Sequence, residues 1–413
     1  MRRQQRASTS ASAYYRHTHR DRHQRFGNQY HRADFDRHTL GHKTKKRGFG
    51  PAFFSALALA RAATISFHDV QSPLQRVNTS ASATPAIYLA PKVSVLRRWL
   101  RILGPFLGML LVIAIFAVIS EHPARLLSPD NLRIVLAQTV IVAVGAIGMT
   151  IIIISGGIDL APGSVIALSG VVCALVLRAG WSPLPALVAG MVVGGAVGLI
   201  NGITITTLRV VPFIATLGML GIARGVAKWI SGEQTVNAPA TWLNRLGVAF
   251  PTPSWLLVAP GVWIAGALAV LASVMLRRTV FGRHVFALGS NEVAARACGI
   301  HTGRLKLMIY SLGGLLFGLA GVLQMSRLRQ GDPTVAIGVE LDIIAAVVIG
   351  GGSLAGGEGS ILGSMIGALI MAFLRNGCQQ MGWPNYIQEI IIGAIIVLAV
   401  AGDRWRASQS RME

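Results

Sequence analysis

FGRHVFALGSNEVAARACGIHTGRLK, residues 281–306, is a basic and polar island between two long apolar segments, 255–276 and 305–325. Each segment is about the length that a bilayer-spanning helix needs, roughly 20 apolar residues. Within the island, 291–297 reads as a short amphipathic helix, with Ser290 as its cap and Gly299 as its stop. Arg277, Arg278, Arg283, Arg296, Arg304 and Lys306 surround it. The positive-inside rule therefore puts the island in the cytoplasm. A short helix held between two membrane helices is a surface that a cytoplasmic partner can grip. The plainer alternative is an ordinary connector with basic flanks.

The island's ALGSNEVAARACGI, 287–300, resembles the ALGxNExAAxxSGI signature of ribose-type permeases, the membrane subunits of sugar-importing ABC transporters. SGGIDLAPGSVIALSG, 155–170, and LDIIAAVVIGGGSLAGGEGSILGSMIGALI, 341–370, resemble the same family in the same order. The similarity runs from about residue 97 to about 403. It implies a coupling helix that docks on the ATPase subunit, seated by Gly289, Asn291, Glu292, Ala294, Ala295, Gly299 and Ile300. Cys298 stands where the family usually has serine, one small residue for another.

Composition agrees with a polytopic membrane protein. The chain has 413 residues, 53% hydrophobic, 13% charged, with 47 glycines. A net charge of +22 suggests a nucleic-acid binder until its distribution is seen. Residues 1–101 carry 19 Lys and Arg against four acids, so most of the excess sits in one tail. No specific nucleic-acid site is expected. Cys173, Cys298 and Cys378 have neither CxxC nor metal-ligand spacing, and no metal site is expected.

Residues 1–94 fall outside the resemblance. They are rich in Arg, His, Ser and Gln and poor in aliphatics, so they are expected to be disordered. A start assigned too far upstream is the other reading. Downstream, ten apolar segments follow: 102–119, 132–154, 162–177, 184–208, 212–230, 255–276, 305–325, 340–349, 360–375 and 386–401. An even number of crossings places both ends of the permease domain, 95–413, in the cytoplasm. The eighth segment is too short to span alone.

Asp159 is the most informative single residue, because an acid beside a membrane core needs a partner or a task. Gly156, Gly157 and Pro162 interrupt the helix around it. Such breaks are tolerated where the backbone lines a cavity or is buried in protein. Either Asp159, Gly163 and Ser164 belong to a broken helix pair on the transport path, or Asp159 only caps the following helix. Gly351, Gly352 and Gly359 echo this motif in the second half. Neither glycine cluster is a nucleotide loop, since the chain has no Gly-Lys pair and so lacks the Walker pattern. Gly190, Gly194, Gly198 and Gly202, like Gly359, Gly363 and Gly367, recur every fourth residue and allow close helix approach. Asn201, Phe213 and Thr216 are candidates for the transport path. Arg224 and Lys228 are expected to snorkel. Glu340 is expected to cap or to meet an external partner.

These readings converge on an all-α inner-membrane permease with broken or re-entrant Gly-rich elements, catalysing no covalent chemistry and binding no cofactor. The resemblance implies a second permease chain, most simply a homodimer. It also implies a cytoplasmic ATPase holding ATP and Mg, and a periplasmic or lipid-anchored sugar-binding protein. The rival class is a secondary transporter or channel for a small polar solute. That class wants an ion-coupling acid in the membrane, and only Asp159 is offered.

Overall fold

The computed structural model describes residues 95–409. The expectations for residues 1–94 lie outside the described residues. Thirteen helices are described: α1 Val95–Ile119, α2 Pro123–Leu126, α3 Pro129–Ile154, α4 Pro162–Arg178, α5 Pro183–Thr207, α6 Pro212–Ser231, α7 Pro260–Arg278, α8 Val280–Ser290, α9 Glu292–Ala297, α10 Thr302–Leu328, α11 Val339–Ile349, α12 Ile361–Gln380 and α13 Asn385–Gln409. Proline opens α2 to α7, where its missing N–H would be unpaired anyway and its fixed φ suits the first turn. That is why α7 starts at Pro260 and not at Trp255, which lies in a separate 3₁₀ turn, Ser254–Leu256.

Each of the ten apolar segments contains one helix. Among the described residues, seven helices are long and apolar enough to cross a membrane: α3, α5, α6, α7, α10, α12 and α13. Residues 103–119 of α1, and α4, are apolar but shorter. With 11 residues, α11 is about 16 Å long, roughly half of a hydrocarbon layer of about 30 Å. The helical part of this segment alone is too short to span, as its sequence indicates.

The buried centre is α3, α4, α10, α11 and α12. Around it α5, α6, α7 and α13 turn large apolar side chains outward, as a bilayer-facing surface requires. α5 lies on α10 through the predicted glycine stripe. A Cβ on Gly194 would strike the backbone of Gly314 and Gly318, and one on Gly198 would strike Tyr310 O. Gly363 and Gly367 do the same for α12 against Gly350, which caps α11, and Ala346 of α11.

Polar clasps tie α3 to α12 at both ends. Asn131 and Asn376 exchange side-chain hydrogen bonds of 2.9 and 3.0 Å, and Thr150 Oγ1 donates to Ser364 Oγ at 2.7 Å. The two ends of the bundle differ in chemistry. At one end a two-residue antiparallel ribbon joins β1 (Val236–Asn237) to β2 (Gln330–Gly331), and Trp229, Trp242, Trp255 and Trp263 are exposed. The basic island lies at the other.

Candidate functional site: a glycine junction beneath the island

The island holds two helices, not one. α8 runs to Ser290, whose hydroxyl bonds back to Phe286 O at 2.9 Å. The cap of α9 is therefore not Ser290 but Asn291, whose extended backbone (φ −162°, ψ 105°) breaks the chain direction. Asn291 Oδ1 accepts from Ala294 N–H at 2.9 Å. The stop is Gly299, at φ +86°. Gly299 N–H donates to Arg296 O and Ile300 N–H to Ala295 O, a Schellman closure.

α9 presents two unlike faces. Ala295 is buried against its own chain, while Val293 is 79% exposed. Ala294 and Ala297 also face outward. Glu292 is the fastener: Lys306 Nζ of α10 reaches its two oxygens at 2.9 and 2.8 Å, and Arg296 adds a third contact at 3.3 Å. Burial alone would raise this carboxyl, but the bond and charge of Lys306, joined by Arg296, outweigh it. The net shift is downward.

Beneath the island the three quoted motifs meet. α3 ends in a Schellman closure, with Gly156 at φ +81° and N–H groups of Gly156 and Gly157 on Ile153 O and Ile152 O. α11 ends identically, with Gly351 at φ +89° and N–H groups of Gly351 and Gly352 on Val348 O and Val347 O. Gly357 N–H then crosses to Ile154 O at 2.8 Å. Gly289, at the end of α8, lies on that bond: its Cβ would overlap Ile154 O and stand 2.6 Å from Gly357 N. A Cβ on Gly356 would stand 2.8 Å from Gly289 O and 2.9 Å from Gly156 Cα, and one on Gly359 would meet Ile154. Side chains are excluded here because three backbones touch. The predicted echo holds for the helix ends but not for the following starts: Gly163 and Ser164 lie inside α4, whereas Ser360 precedes α12 as its cap.

Beyond the junction, Asp159 accepts from Ala161 N–H at 2.8 Å and from Asn201 Nδ2 at 3.4 Å. It thus holds the amide just before α4 and also ties α5. Thr216 Oγ1 of α6 accepts from Leu160 N–H at 3.1 Å. Asp159, Ser164, Asn201 and Thr216 are all buried. Phe213 differs: it is 48% exposed, while Thr216 is buried.

Sequence reasoning missed Tyr310, whose hydroxyl lies against Gly157, and the ion pair between Asp342 of α11 and Arg375 of α12. The available signal was charge inside apolar runs. Arg224 does not snorkel: it donates to Pro333 O at 2.8 Å and Val335 O at 2.6 Å, clamping the chain ahead of α11. Glu340 accepts from Gly338 N–H at 3.2 Å and turns its other oxygen toward Gly163, so the first turns of α4 and α11 abut. Buried polar atoms without a hydrogen-bond partner gather along these elements, among them Ser164 Oγ, Asn201 Oδ1, Tyr310 OH and Glu340 Oε2.

Broken central helices with polar side chains buried between them are a feature of transport proteins. Residues 131–400 match the family described as "Branched-chain amino acid transport system / permease component", and the chain belongs to it. It is 40% identical over 307 residues to the ribose import permease protein of Escherichia coli, covering 74% of this chain and 95% of that one. It is 39% identical to the ribose import permease protein of Bacillus subtilis, over 74% of this chain and 94% of that one. It is 34% identical to the L-arabinose ABC transporter permease protein of Azospirillum brasilense, over 74% and 89%. No solved structure matches the chain.

Proposed function

We propose that this chain is the permease subunit of an ABC importer that carries a ribose-like monosaccharide across the inner membrane. The names of its relatives support the sugar class. In this reading a partner ATPase supplies the energy, ATP and Mg stay on that partner, and a second permease chain completes the pathway. A periplasmic or lipid-anchored binding protein delivers the sugar, and both ends of 95–413 face the cytoplasm.

The observation that carries the reading is the contact of α8, at Gly289, with the end of α3 and with the glycine loop that follows α11. A force applied to the island reaches both broken elements through backbone. The interior polar atoms without partners are suited to sugar hydroxyls once the bundle opens. Alternation between outward- and inward-open states then follows from rocking these elements against the rest.

The test is co-purification with the ATPase, using Val293→Glu on the outward face of α9. A buried contact that must absorb an unpaired charge is lost, so ATPase recovery and uptake should both fall with membrane insertion intact. Uptake that persists in membranes depleted of ATP would instead favour a secondary transporter or channel.

A further inference from the structure

A cavity of about 620 Å³ opens at the island's end of the bundle, between the α5–α6 turn and the start of α10. Arg209, Arg296 and Lys306 line it, against one acid, Glu292. That acid is already engaged by Lys306 and Arg296. Arg209 has no hydrogen bond or ion pair among the described residues. Its backbone is left-handed, φ +55°, a conformation that non-glycine residues rarely hold without a local reason. Thr302 and Gly303, at the start of α10, complete the wall.

Beside this basic wall the surface is apolar and uncovered. Leu208 is 69% exposed, and Val211 and Ile214 are each 59% exposed. A cationic hollow with an apolar rim, at the edge of a membrane bundle, matches an amphiphile with an anionic head. We propose that the cavity binds the phosphate of an anionic phospholipid, its head among Arg209, Arg296 and Lys306 and its chains along Leu208, Val211 and Ile214.

The full-length chain in neutral detergent is titrated with phosphatidylglycerol or phosphatidylcholine, and retained lipid is counted by native mass spectrometry. Phosphatidylglycerol should be retained in preference. Arg209→Asn should weaken it about tenfold, the loss of one charge-assisted contact, and Arg209→Lys should restore most of the binding. Asn is chosen because it tolerates the left-handed backbone. If the Arg209 variants express poorly, Arg296→Gln gives the same reading from the opposite wall. Inorganic phosphate separates the sources. Protection of wild type by phosphate, lost in Arg209→Asn, with no preference between the lipids, keeps the phosphate site and assigns it to a soluble ligand. Equal retention of both lipids with no effect of phosphate overturns the proposal. No ATPase enters the measurement, so the result is independent of the coupling role given to α9.

Discussion

At the scale of single residues, the junction makes sharp demands. Gly289→Ala puts a methyl group into Ile154 O, so the bond from Gly357 must break or α8 must lift. Overpacking of this kind costs about 1–3 kcal/mol. Uptake in whole cells should collapse while membrane insertion persists. Gly266→Ala, with open space around its Cβ, should transport normally. Asp159→Asn should be mild. The amide oxygen still accepts from Ala161, and Asn201 can rotate its unpaired Oδ1 toward the new NH₂ group. Labelled-sugar uptake should fall by less than about tenfold, which is less than one intact charge-assisted hydrogen bond is worth at its upper range; complete loss in a well-expressed variant would show that the charge itself is used. Asp159 was legible in the sequence because an acid among glycines has no apolar explanation. Its side-chain partner was not, because Asn201 lies in another segment and only the fold brings it there. Ala295 and Val293 show the same limit: a six-residue helix does not announce which face looks out.

At the scale of elements, the chain declares its helices well. Prolines, glycines and the lengths of apolar runs fix most boundaries to within a few residues, apart from the starts of α1 and α7, the ends of α12 and α13, and the α8–α9 break. The division of the island was hidden because ALGSNE reads equally as one turn or as two helix ends; the backbone of Asn291 decides it. The α5 stripe gives a test of helix approach. Gly198→Ala should lower the melting temperature of the purified protein, since its Cβ meets Tyr310 O and Gly314 Cα. Gly195→Ala, one face away and 3.7 Å from Leu315 Cβ, should leave it unchanged. Equal melting of the two would remove the stripe's structural role. The island's own attachment depends on pH. The carboxyl of Glu292 is lowered in the folded chain, so its contribution is present above the ordinary carboxylate range and is lost as pH falls through the lower folded value. Hydrogen exchange corrected for intrinsic rates should find α9 equally protected at neutral and mildly acidic pH. Loosening should begin only below the usual carboxylate range, and Glu292→Gln should be loose throughout.

At the scale of the whole molecule, 74% of the chain accounts for 95% of the Escherichia coli relative. The remaining quarter lies outside that match. A product beginning near Val93 should therefore insert and transport as the full chain does. Loss of transport on that deletion, with Met1 retained in the native protein by mass spectrometry, would give the tail a function. The clasps between α3 and α12 bear on how the rest moves. Asn131 and Thr150 are 19 positions apart on α3 and grip α12 at both sites, a lever arm of about 28 Å. Sliding one helix along the other would break buried hydrogen bonds at two depths at once. The pair is a stiff strut, and flexing belongs to the joints beside it. Spin labels on α3 and α12 should keep one separation through every stage of turnover, while a label on α8 changes its distance to both.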